Sequence, residues 1–382
     1  MNTSKNTDSI PYNVPTCLGT EADYITQVIK NRKLAGDGFF NKKCVEVLAQ
    51  IFPGAYINLT PSCTAALEMA YLLIDLKPGD EVIMPSFTFT STATAVTLLG
   101  GVPVFIDVDN SLNMDLKKLE AAVTGKTKAI CVVHYAGFSC DMKTLAQFCK
   151  DRKIFLVEDA AQSLGADCFG KSLGSFGDIS AISFHETKNI ICGEGGAIVV
   201  NNPQLKDRAE IIKDKGTNRQ KFLKGIVDKY TWQDKGSSYL LGELPAAYLY
   251  AQLLEIEKIS KTRKEIFDSY YEQLTMLATS AHLQLPQKNA FNNYNGHIFY
   301  IILKTEDERD RLMQFLKDQS ISAVPHYVAL HNSVAGLRLG RSVGTMNLTD
   351  DLSKRLLRLP LFYGLSLQNV ERITESIKAF WK

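Results

Sequence analysis

The stretch Ile154-Phe-Leu-Val-Glu-Asp159-Ala-Ala-Gln-Ser-Leu-Gly-Ala166 opens with an apolar run, which predicts a buried strand that stops next to Asp159. Similar runs alternate with amphipathic segments through the first half of the chain. The predicted strands are 82–84, 102–108, 129–133, 154–157, 179–184 and 197–200, and the predicted helices are 64–75, 91–99, 115–123, 142–151 and 203–214. This alternation is typical of an α/β fold with a mostly parallel sheet covered on both faces, whose ligands lie at the carboxyl ends of the strands.

The pattern changes from about Leu253 onward. A long charged helix is predicted over 255–271, followed by a strand at 297–303 and helices at 306–318 and 367–381. We therefore predict a large domain over 1–254, which includes the N-terminal segment, and a smaller C-terminal α+β domain over 255–382. The boundary is expected inside a continuous helix.

A second stretch, Ser183-Phe-His-Glu-Thr-Lys188-Asn, places a lysine just after another predicted strand. A pyridoxal 5′-phosphate (PLP) enzyme needs an amine that forms a Schiff base and a carboxylate that keeps the ring nitrogen protonated. Each residue alone has an ordinary interpretation: Lys188 as a solvated residue at a strand end, and Asp159 as a helix N-cap. Together they favour PLP as the cofactor, with Lys188 and Asp159 as catalytic residues.

Upstream, Leu59-Thr-Pro-Ser-Cys-Thr-Ala-Ala-Leu67 passes from an apolar segment into a helical pattern. The free N–H groups of a helix N-terminus, with nearby hydroxyl groups, predict a phosphate site, although an ordinary Ser/Thr N-cap gives the same pattern. Farther along, Phe87 and Phe89 follow a predicted strand, and either could cover a flat ring. The alternative is that both are core residues, as most phenylalanines are.

Composition excludes several classes of protein. The chain has 382 residues, 45% of them hydrophobic, with 43 Lys and Arg against 41 Asp and Glu and a formal net charge of +2. No attraction to nucleic acid or to anionic membranes is indicated. The N-terminus is polar, and no segment is long and apolar enough to span a bilayer, so we expect a cytoplasmic protein. The eight cysteines show no C-x-x-C spacing, so no metal site is predicted and the thiols are expected to be reduced.

These motifs occur together with Val133-His-Tyr-Ala-Gly and Gly193-Glu-Gly-Gly-Ala. In this combination the chain resembles the DegT/DnrJ/EryC1/StrS family of nucleotide-sugar aminotransferases over nearly its whole length. The resemblance implies PLP fold type I and an enzyme that uses PLP, L-glutamate and a nucleotide-linked keto sugar. It also implies a homodimer with active sites at the subunit interface.

The resemblance assigns roles residue by residue. Lys188 would carry PLP and act as general base and acid, Asp159 would pair with the ring nitrogen, and Gln162, one helical turn later, would contact the ring hydroxyl. Ser183, Cys63 and Thr64 match phosphate ligands, and Phe89 rather than Phe87 matches the residue that stacks on the ring. The resemblance implies that Ser238 contacts the neighbouring subunit's PLP phosphate, although many family members carry the longer Asn at this position.

Further residues are candidates for substrate binding. They are His185 near the lysine, His326, Tyr327 and His331 in Val324-Pro-His-Tyr-Val-Ala-Leu-His331, and Lys33 and Arg219 as ligands of the nucleotide phosphates. His185 is equally interpreted as a packed core histidine, residues 326–331 as a polar strand end, and Lys33 and Arg219 as solvated surface charges.

Four further segments resemble the branch that contains dTDP-4-amino-4,6-dideoxygalactose transaminase: Lys215-Gly-Thr-Asn-Arg219, Asp228-Lys-Tyr-Thr-Trp232, Gly236-Ser-Ser-Tyr239 and Leu357-Arg-Leu-Pro-Leu-Phe-Tyr363. The branch implies amination at C4 of dTDP-4-keto-6-deoxy-D-glucose to give dTDP-4-amino-4,6-dideoxy-D-galactose for surface polysaccharides such as lipopolysaccharide. The gluco epimer and a 3-keto sugar stay open as alternatives.

Other functions are less well supported. A nicotinamide dehydrogenase needs G-x-G-x-x-G, and the final glycine is absent after Gly193 because position 198 is Ile. The segment His185–Asn189 lacks the second histidine of a zincin. A related branch that removes a sugar hydroxyl carries His in place of Lys188. A non-catalytic nucleotide-sugar sensor stays open, although it would have no need of Lys188, Asp159 and Gln162 together.

Overall fold

The computed structural model describes residues 9–381. Its α-helices, in chain order, are α1 (Glu21–Asn31), α2 (Phe39–Ile51), α3 (Cys63–Leu73), α4 (Thr90–Thr97), α5 (Leu119–Ala122), α6 (Met142–Arg152), α7 (Lys206–Lys213), α8 (Arg219–Leu223), α9 (Glu243–Leu254), α10 (Ile256–Thr279), α11 (Glu306–Asp318), α12 (Val334–Leu339), α13 (Asn347–Arg355) and α14 (Leu367–Ala379). Its strands are β1 (Tyr56–Thr60), β2 (Glu81–Pro85), β3 (Val102–Ile106), β4 (Thr127–Val133), β5 (Phe155–Asp159), β6 (Asp167–Cys168), β7 (Lys171–Ser172), β8 (Ile179–Ser183), β9 (Gly196–Val200), β10 (Leu283–Gln284), β11 (Asn292–Asn293), β12 (Phe299–Leu303), β13 (Arg341–Ser342) and β14 (Leu356–Leu359).

The main sheet has eight strands in the order β1-β9-β8-β5-β4-β2-β3-β13. The six strands from β8 to β13 pair in parallel. Strand β9 is reversed, because it pairs antiparallel with both β8 and β1. The carboxyl ends of β1, β2, β5 and β8 therefore meet at one edge of the sheet. The predicted α/β class with a mostly parallel sheet is confirmed.

Alternation along the strands divides their side chains between two buried layers. Val82 and Val157 pack in the same apolar cluster as Leu67 of α3, whereas the adjacent Ile83 and Leu156 pack in a separate cluster with residues of α6. Both faces of these strands are buried, which explains why their sequences are continuously apolar rather than alternating. Each such side chain contributes about 1.5–3 kcal/mol by leaving water.

A second, three-stranded sheet has the order β10-β12-β14. Its apolar cluster includes Phe299 and Ile301 of β12, and it also includes Phe87 and Tyr135, which follow β2 and β4 of the main sheet. The C-terminal part of the chain thus packs over the carboxyl edge of the main sheet. Among residues 9–381, no helix combines the length and apolar character needed to cross a bilayer.

The prediction that one continuous helix spans the domain boundary near residue 255 is wrong. Helix α9 ends at Leu254 and α10 begins at Ile256, and Glu255 between them has φ −108° and ψ 16°. The apolar periodicity runs on across this break, which is why the sequence pattern does not mark it. The division into domains over 1–254 and 255–382 stays a prediction.

Strand β13 reaches back to the main sheet and is held there by an ion pair. Nε and Nη2 of Arg341 donate to Oε1 and Oε2 of Glu81, each at 2.8 Å, and Thr124 donates its hydroxyl to Oε2 at 2.6 Å. The hydrogen bonds from Arg341 lower the pKa of Glu81 more than its partial burial raises it. This bidentate contact holds the C-terminal segment at the start of β2.

We expect Glu81→Gln to lower the free energy of unfolding by about 1–3 kcal/mol at pH 7, because it leaves a partly buried guanidinium without its charged partner. The folded pKa of Glu81 lies below its ordinary value of 4.5, so the unfolded chain binds more protons. The stabilisation is therefore complete above pH 4.5 and is lost as the pH falls through the lowered pKa. Urea unfolding of the wild type and the variant at pH 7 and at a pH below 4.5 measures the difference in the free energy of unfolding. Glu46→Gln, which breaks the exposed pair with Lys43, is the control, and equal losses in both variants would contradict the prediction.

Candidate active site

A cavity of about 520 Å³ lies between the carboxyl edge of the main sheet and the C-terminal segment. Its walls combine the loops that follow β1, β2, β5 and β8 with residues of α10, of β14 and of the segment that contains His326 and Tyr327. The predicted residues that line it are Cys63, Thr64, Phe89, Asp159, Gln162, Ser183, His185, Lys188, His326 and Tyr327. The structure therefore brings ten sequence-predicted residues together around one space.

One end of the cavity is the N-terminus of α3. Ser62 is its N-cap, and its hydroxyl oxygen accepts the N–H of Ala65 at 3.1 Å. The N–H groups of the first helical residues, Cys63 and Thr64, have no carbonyl partner within a helix and carry the positive end of its dipole. Ser183 ends β8 beside this point, and the hydroxyl of Thr64 bonds to that of Ser91 at 2.7 Å. Backbone and side-chain donors thus converge where an anion can bind.

Asp159 ends β5 and is 5% exposed. Its Oδ1 accepts the N–H of Ala161 at 3.2 Å and its Oδ2 accepts the hydroxyl of Thr92 at 2.7 Å. Because the proton of Thr92 is used there, Thr88 donates to the Thr92 oxygen at 2.8 Å. These bonds fix the carboxylate in place while it faces the cavity.

Lys188 lies in the turn after β8, where its N–H donates to the carbonyl of His185 at 2.9 Å. Burial lowers the pKa of its amine; the negative charge of Asp159 opposes that shift, and the positive charge of Arg358 adds to it. A lowered pKa increases the fraction of neutral amine, which is the nucleophilic form.

Gln162 is positioned by a turn rather than by a helix. Residues 161–165 form turns in the structure, so the predicted helical spacing between Asp159 and Gln162 is wrong, although both side chains line the cavity. Oε1 of Gln162 accepts the N–H of Ala136 at 2.7 Å, and its Nε2 donates to the Tyr327 hydroxyl at 2.8 Å. Both ends of the amide are thereby held.

His326 stacks on Tyr327 with ring centroids 3.6 Å apart, and its Nδ1 bonds to the hydroxyl of Tyr135 at 2.7 Å. Burial lowers the pKa of His326 to about 2, with further lowering by Arg358 and Lys188. The imidazole is therefore neutral. Burial also raises the pKa of Tyr135, so the phenol is the donor and the remaining ring proton of His326 is on Nε2.

The two phenylalanines after β2 differ in their surroundings. Phe89 is 56% exposed and lines the cavity, whereas Phe87 is fully buried. The ring of Phe87 packs edge-on against Tyr135 and Tyr327 at 5.1 and 5.5 Å. Of the two, only Phe89 offers a ring face to a ligand. At the same opening, Nδ1 of His185 bonds to the Thr187 hydroxyl at 2.9 Å.

Four predicted residues do not line this cavity. Ser238 is exposed and pairs with Asp214 in an isolated bridge, and Arg219 donates to the carboxylate of that same aspartate at 3.2 Å. Lys33 is exposed in the loop after α1. Nδ1 of His331 bonds to the Ser86 hydroxyl at 2.7 Å, which anchors its segment beneath the cavity. The ligand roles of these four residues stay predictions.

Several lining residues were missed by the sequence analysis. They include Tyr12, Asn13, Thr88, Ser91, Arg263, His297 and Arg358. Arg358 lies in the segment Leu357-Arg-Leu-Pro, but no spacing marks it as a cavity residue. Its position depends on where β14 packs, and that is decided by the second sheet.

The donor set of this cavity fits PLP. It supplies a poorly solvated amine, a fixed carboxylate, the N-terminus of an 11-residue helix for a phosphate, and an exposed aromatic face. The start of α3 also packs closely against β9: a Cβ on Gly196 would lie 2.5 Å from the backbone N of Cys63. Only glycine lets β9 approach the start of α3 so closely.

The comparisons with known proteins agree with this chemistry. The model of the DegT/DnrJ/EryC1/StrS aminotransferase family matches residues 17–378. GDP-perosamine synthase from Escherichia coli O157:H7 is 31% identical over 97% of this chain and 98% of that protein, and GDP-perosamine synthase from Vibrio cholerae is 29% identical over 97% and 99%. The aminotransferase TlmJ from Streptoalloteichus hindustanus has a TM-score of 0.89 at 25% identity, covering 98% of this chain and 99% of that one. Other structures of this fold include PLP-bound and PMP-bound forms.

We expect Gly196→Ala to lower the free energy of unfolding by about 1–3 kcal/mol, because the new methyl group meets rigid backbone at Ser62 and Cys63. The same displacement should loosen the start of α3 and weaken retention of PLP during dialysis. Urea unfolding and the absorbance of retained cofactor measure the two effects. Gly364→Ala is the matched control, since nothing lies within 4 Å of its added methyl group. The prediction is wrong if both variants behave alike.

Proposed function

This chain belongs to the DegT/DnrJ/EryC1/StrS aminotransferase family, and from that premise we propose that it transfers the amino group of L-glutamate to C4 of a nucleotide-linked 4-keto-6-deoxy sugar. That it is a PLP-dependent sugar aminotransferase follows from the family and from its relatives. The donor, the position on the sugar and the nucleotide are parts of the proposal.

One observation carries the catalytic assignment: the Lys188 amine and the Asp159 carboxylate line the same cavity, next to the free N-terminus of α3. PLP supplies an electron-accepting ring that stabilises negative charge on the carbon next to the transferred nitrogen. Lys188 would attach the cofactor until the amine of the donor displaces it. Its freed Nζ would then move a proton from the α-carbon of the donor to the cofactor and, in the second half of the reaction, from the cofactor to the sugar carbon. The lowered pKa of this amine suits it to both directions of proton transfer.

The other residues fix the position and orientation of the cofactor. Asp159 keeps a proton on the ring nitrogen, since its carboxylate is fixed by Thr92 and Ala161. Gln162 contacts the ring hydroxyl, and Phe89 covers the ring from the exposed side. Cys63, Thr64 and Ser183 bind the phosphate. Together these contacts restrict the ring to one orientation, so that the reacting bond faces Lys188.

The acceptor has two candidates. The sequence resemblance predicts dTDP-4-keto-6-deoxy-D-glucose as the acceptor and the galacto epimer as the product, with the gluco epimer or a 3-keto sugar as alternatives. Two relatives similar over nearly their whole length are GDP-perosamine synthases, which favours a GDP-linked sugar. We give the GDP-linked acceptor precedence, because similarity over 97% of the chain weighs more than a resemblance in four short segments.

The neutral sugar offers no charge, so the nucleotide's two phosphates provide the main electrostatic contact with the protein. Lys33 and Arg219 remain our candidates for them, with His326 and Tyr327 on the sugar. The active site is proposed to be completed in a homodimer, with Ser238 directed to the partner's cofactor phosphate, and the reaction is placed in the cytoplasm.

We expect Lys188→Ala to abolish amino transfer while leaving the protein folded, because no other lysine among residues 9–381 lines the cavity. Borohydride reduction of the wild-type enzyme followed by mass spectrometry should place the pyridoxyl group on Lys188. Lys215→Ala, which removes an exposed partner of Asp214, is the control and should keep its turnover. A pyridoxyl group on a different lysine would disprove the assignment.

The proposed acceptor is tested with L-glutamate and a panel of sugars: GDP-4-keto-6-deoxy-D-mannose, dTDP-4-keto-6-deoxy-D-glucose and a dTDP-linked 3-keto isomer. We expect amination at C4, with kcat/KM at least about tenfold higher for the GDP-linked sugar, since contacts to the wrong base cost a kcal/mol or more. NMR of the products gives the position and configuration of the new amine. Amination of the 3-keto sugar alone would refute the C4 proposal and leave PLP chemistry intact.

A further inference from the structure

A buried polar network joins the turn that carries Lys188 to the C-terminal segment. Asn189, the residue after Lys188, is 4% exposed, and its Nδ2 donates to the carbonyl of Asn295 at 3.0 Å. Its Oδ1 bonds to Nδ1 of His297 at 2.8 Å. Oδ1 of Asn295 in turn accepts the backbone N–H of His297 at 3.1 Å. The network therefore holds both the backbone and the ring of His297.

The network also decides which ring nitrogen of His297 carries the proton. A reversed Asn189 amide would place its oxygen against the carbonyl oxygen of Asn295, and neither atom could donate, so Oδ1 must face His297. An oxygen of this kind only accepts, and Nδ1 therefore carries the proton. Burial lowers the pKa of His297 well below its ordinary value, and the positive charge of Lys188 adds to that shift more than Arg263 does. The ring is thus neutral, and its Nε2 has a lone pair.

That lone pair has no partner and opens to the cavity. The ring of His297 lines the cavity, whereas Asn189 lies behind it. Among residues 9–381, Nε2 of His297 makes no hydrogen bond, yet it is not one of the sealed polar atoms of the interior. His326 has the opposite tautomer, with its proton on Nε2. The same wall therefore presents a donor at His326 and an acceptor at His297.

We propose that His297 is a positioning residue for Lys188, and that its Nε2 accepts a hydrogen bond from Nζ of the lysine whenever that amine is free of the cofactor. The inference rests on the proposed catalytic role of Lys188. A lysine that has taken up a proton has three N–H donors, and an unpaired donor is costly in a poorly solvated cavity. The Asp159 carboxylate is already hydrogen-bonded, and His326 is a donor. One N–H held by His297 leaves the others directed at the reacting carbons, which favours proton transfer.

Two substitutions in the PLP-bound enzyme separate the two nitrogens of the ring. His297→Asn keeps an N–H at the place of Nδ1, and with it the bond to Asn189, but removes the acceptor in the cavity. His297→Gln places an amide oxygen near the position of Nε2 but loses the bond to Asn189. We expect His297→Asn to lower kcat by about 10- to 100-fold and His297→Gln by less than about fivefold. His282→Asn, at a ring that packs on Trp381, is the control and should leave kcat unchanged.

Two other roles for His297 predict different results. A purely structural role reverses the order of the two variants, because only His297→Gln breaks the bond to Asn189. A contact with a sugar hydroxyl would slow only the second half of the reaction. The proposed contact slows both halves, including the one that L-glutamate completes alone, which the absorbance of the cofactor follows. A reversed order, or an unchanged first half in His297→Asn, would overturn the proposal.

A second measurement does not depend on turnover. Acylation of Lys188 in the PLP-free protein, followed by mass spectrometry over a series of pH values, reports the pKa of its amine. Because an acceptor stabilises the protonated amine, His297→Asn should shift the labelling to lower pH by about one unit, and His297→Gln should shift it less. Unchanged labelling in folded His297→Asn would contradict the contact. If no nucleotide sugar is aminated but the labelling still depends on His297, the proposed function fails and the contact stands.

Discussion

The site depends on one constraint: the carboxyl ends of parallel strands meet at a single edge of the sheet. Here that edge gathers the start of α3 after β1, Phe89 after β2, Asp159 at the end of β5 and Lys188 after β8. Each of these residues comes from a different part of the chain. The reversed β9 strengthens the arrangement, because its Gly196 pairs with both Thr60 and Ser183 and so fixes β1 beside β8.

The second sheet closes this edge and sets the electrostatics. Its apolar cluster incorporates Phe87 and Tyr135 from the main sheet, which leaves the cavity poorly solvated. Burial in it lowers the pKa of Lys188 and of His326, which favours the neutral form of both groups. Charge is retained where it is hydrogen-bonded, as at Arg263, whose guanidinium is surrounded by carbonyl oxygens.

Much of the large sheet could be predicted from the sequence, because buried parallel strands are continuous apolar runs and each run is a local signal. Asp159, Lys188 and the start of α3 could be predicted for the same reason: each follows directly on such a run. Two local details were wrong. The turn at 161–165 and the break at Glu255 leave no mark on apolar periodicity, since hydrophobic spacing reports which face is buried and not whether the backbone hydrogen bonds continue.

The sequence by itself therefore determined the α/β class, the family and the pair of functional groups at the strand ends, since these depend on residue type and on short-range order along the chain. Only the tertiary structure decided which side chains of the C-terminal segment line the cavity. Arg263 on α10 and Arg358 on β14 are 95 positions apart and lie 75 and 170 positions after Lys188, and only the packing of the C-terminal segment brings them to the same cavity. Contacts of that kind are set by how two sheets meet, and no local pattern encodes that geometry.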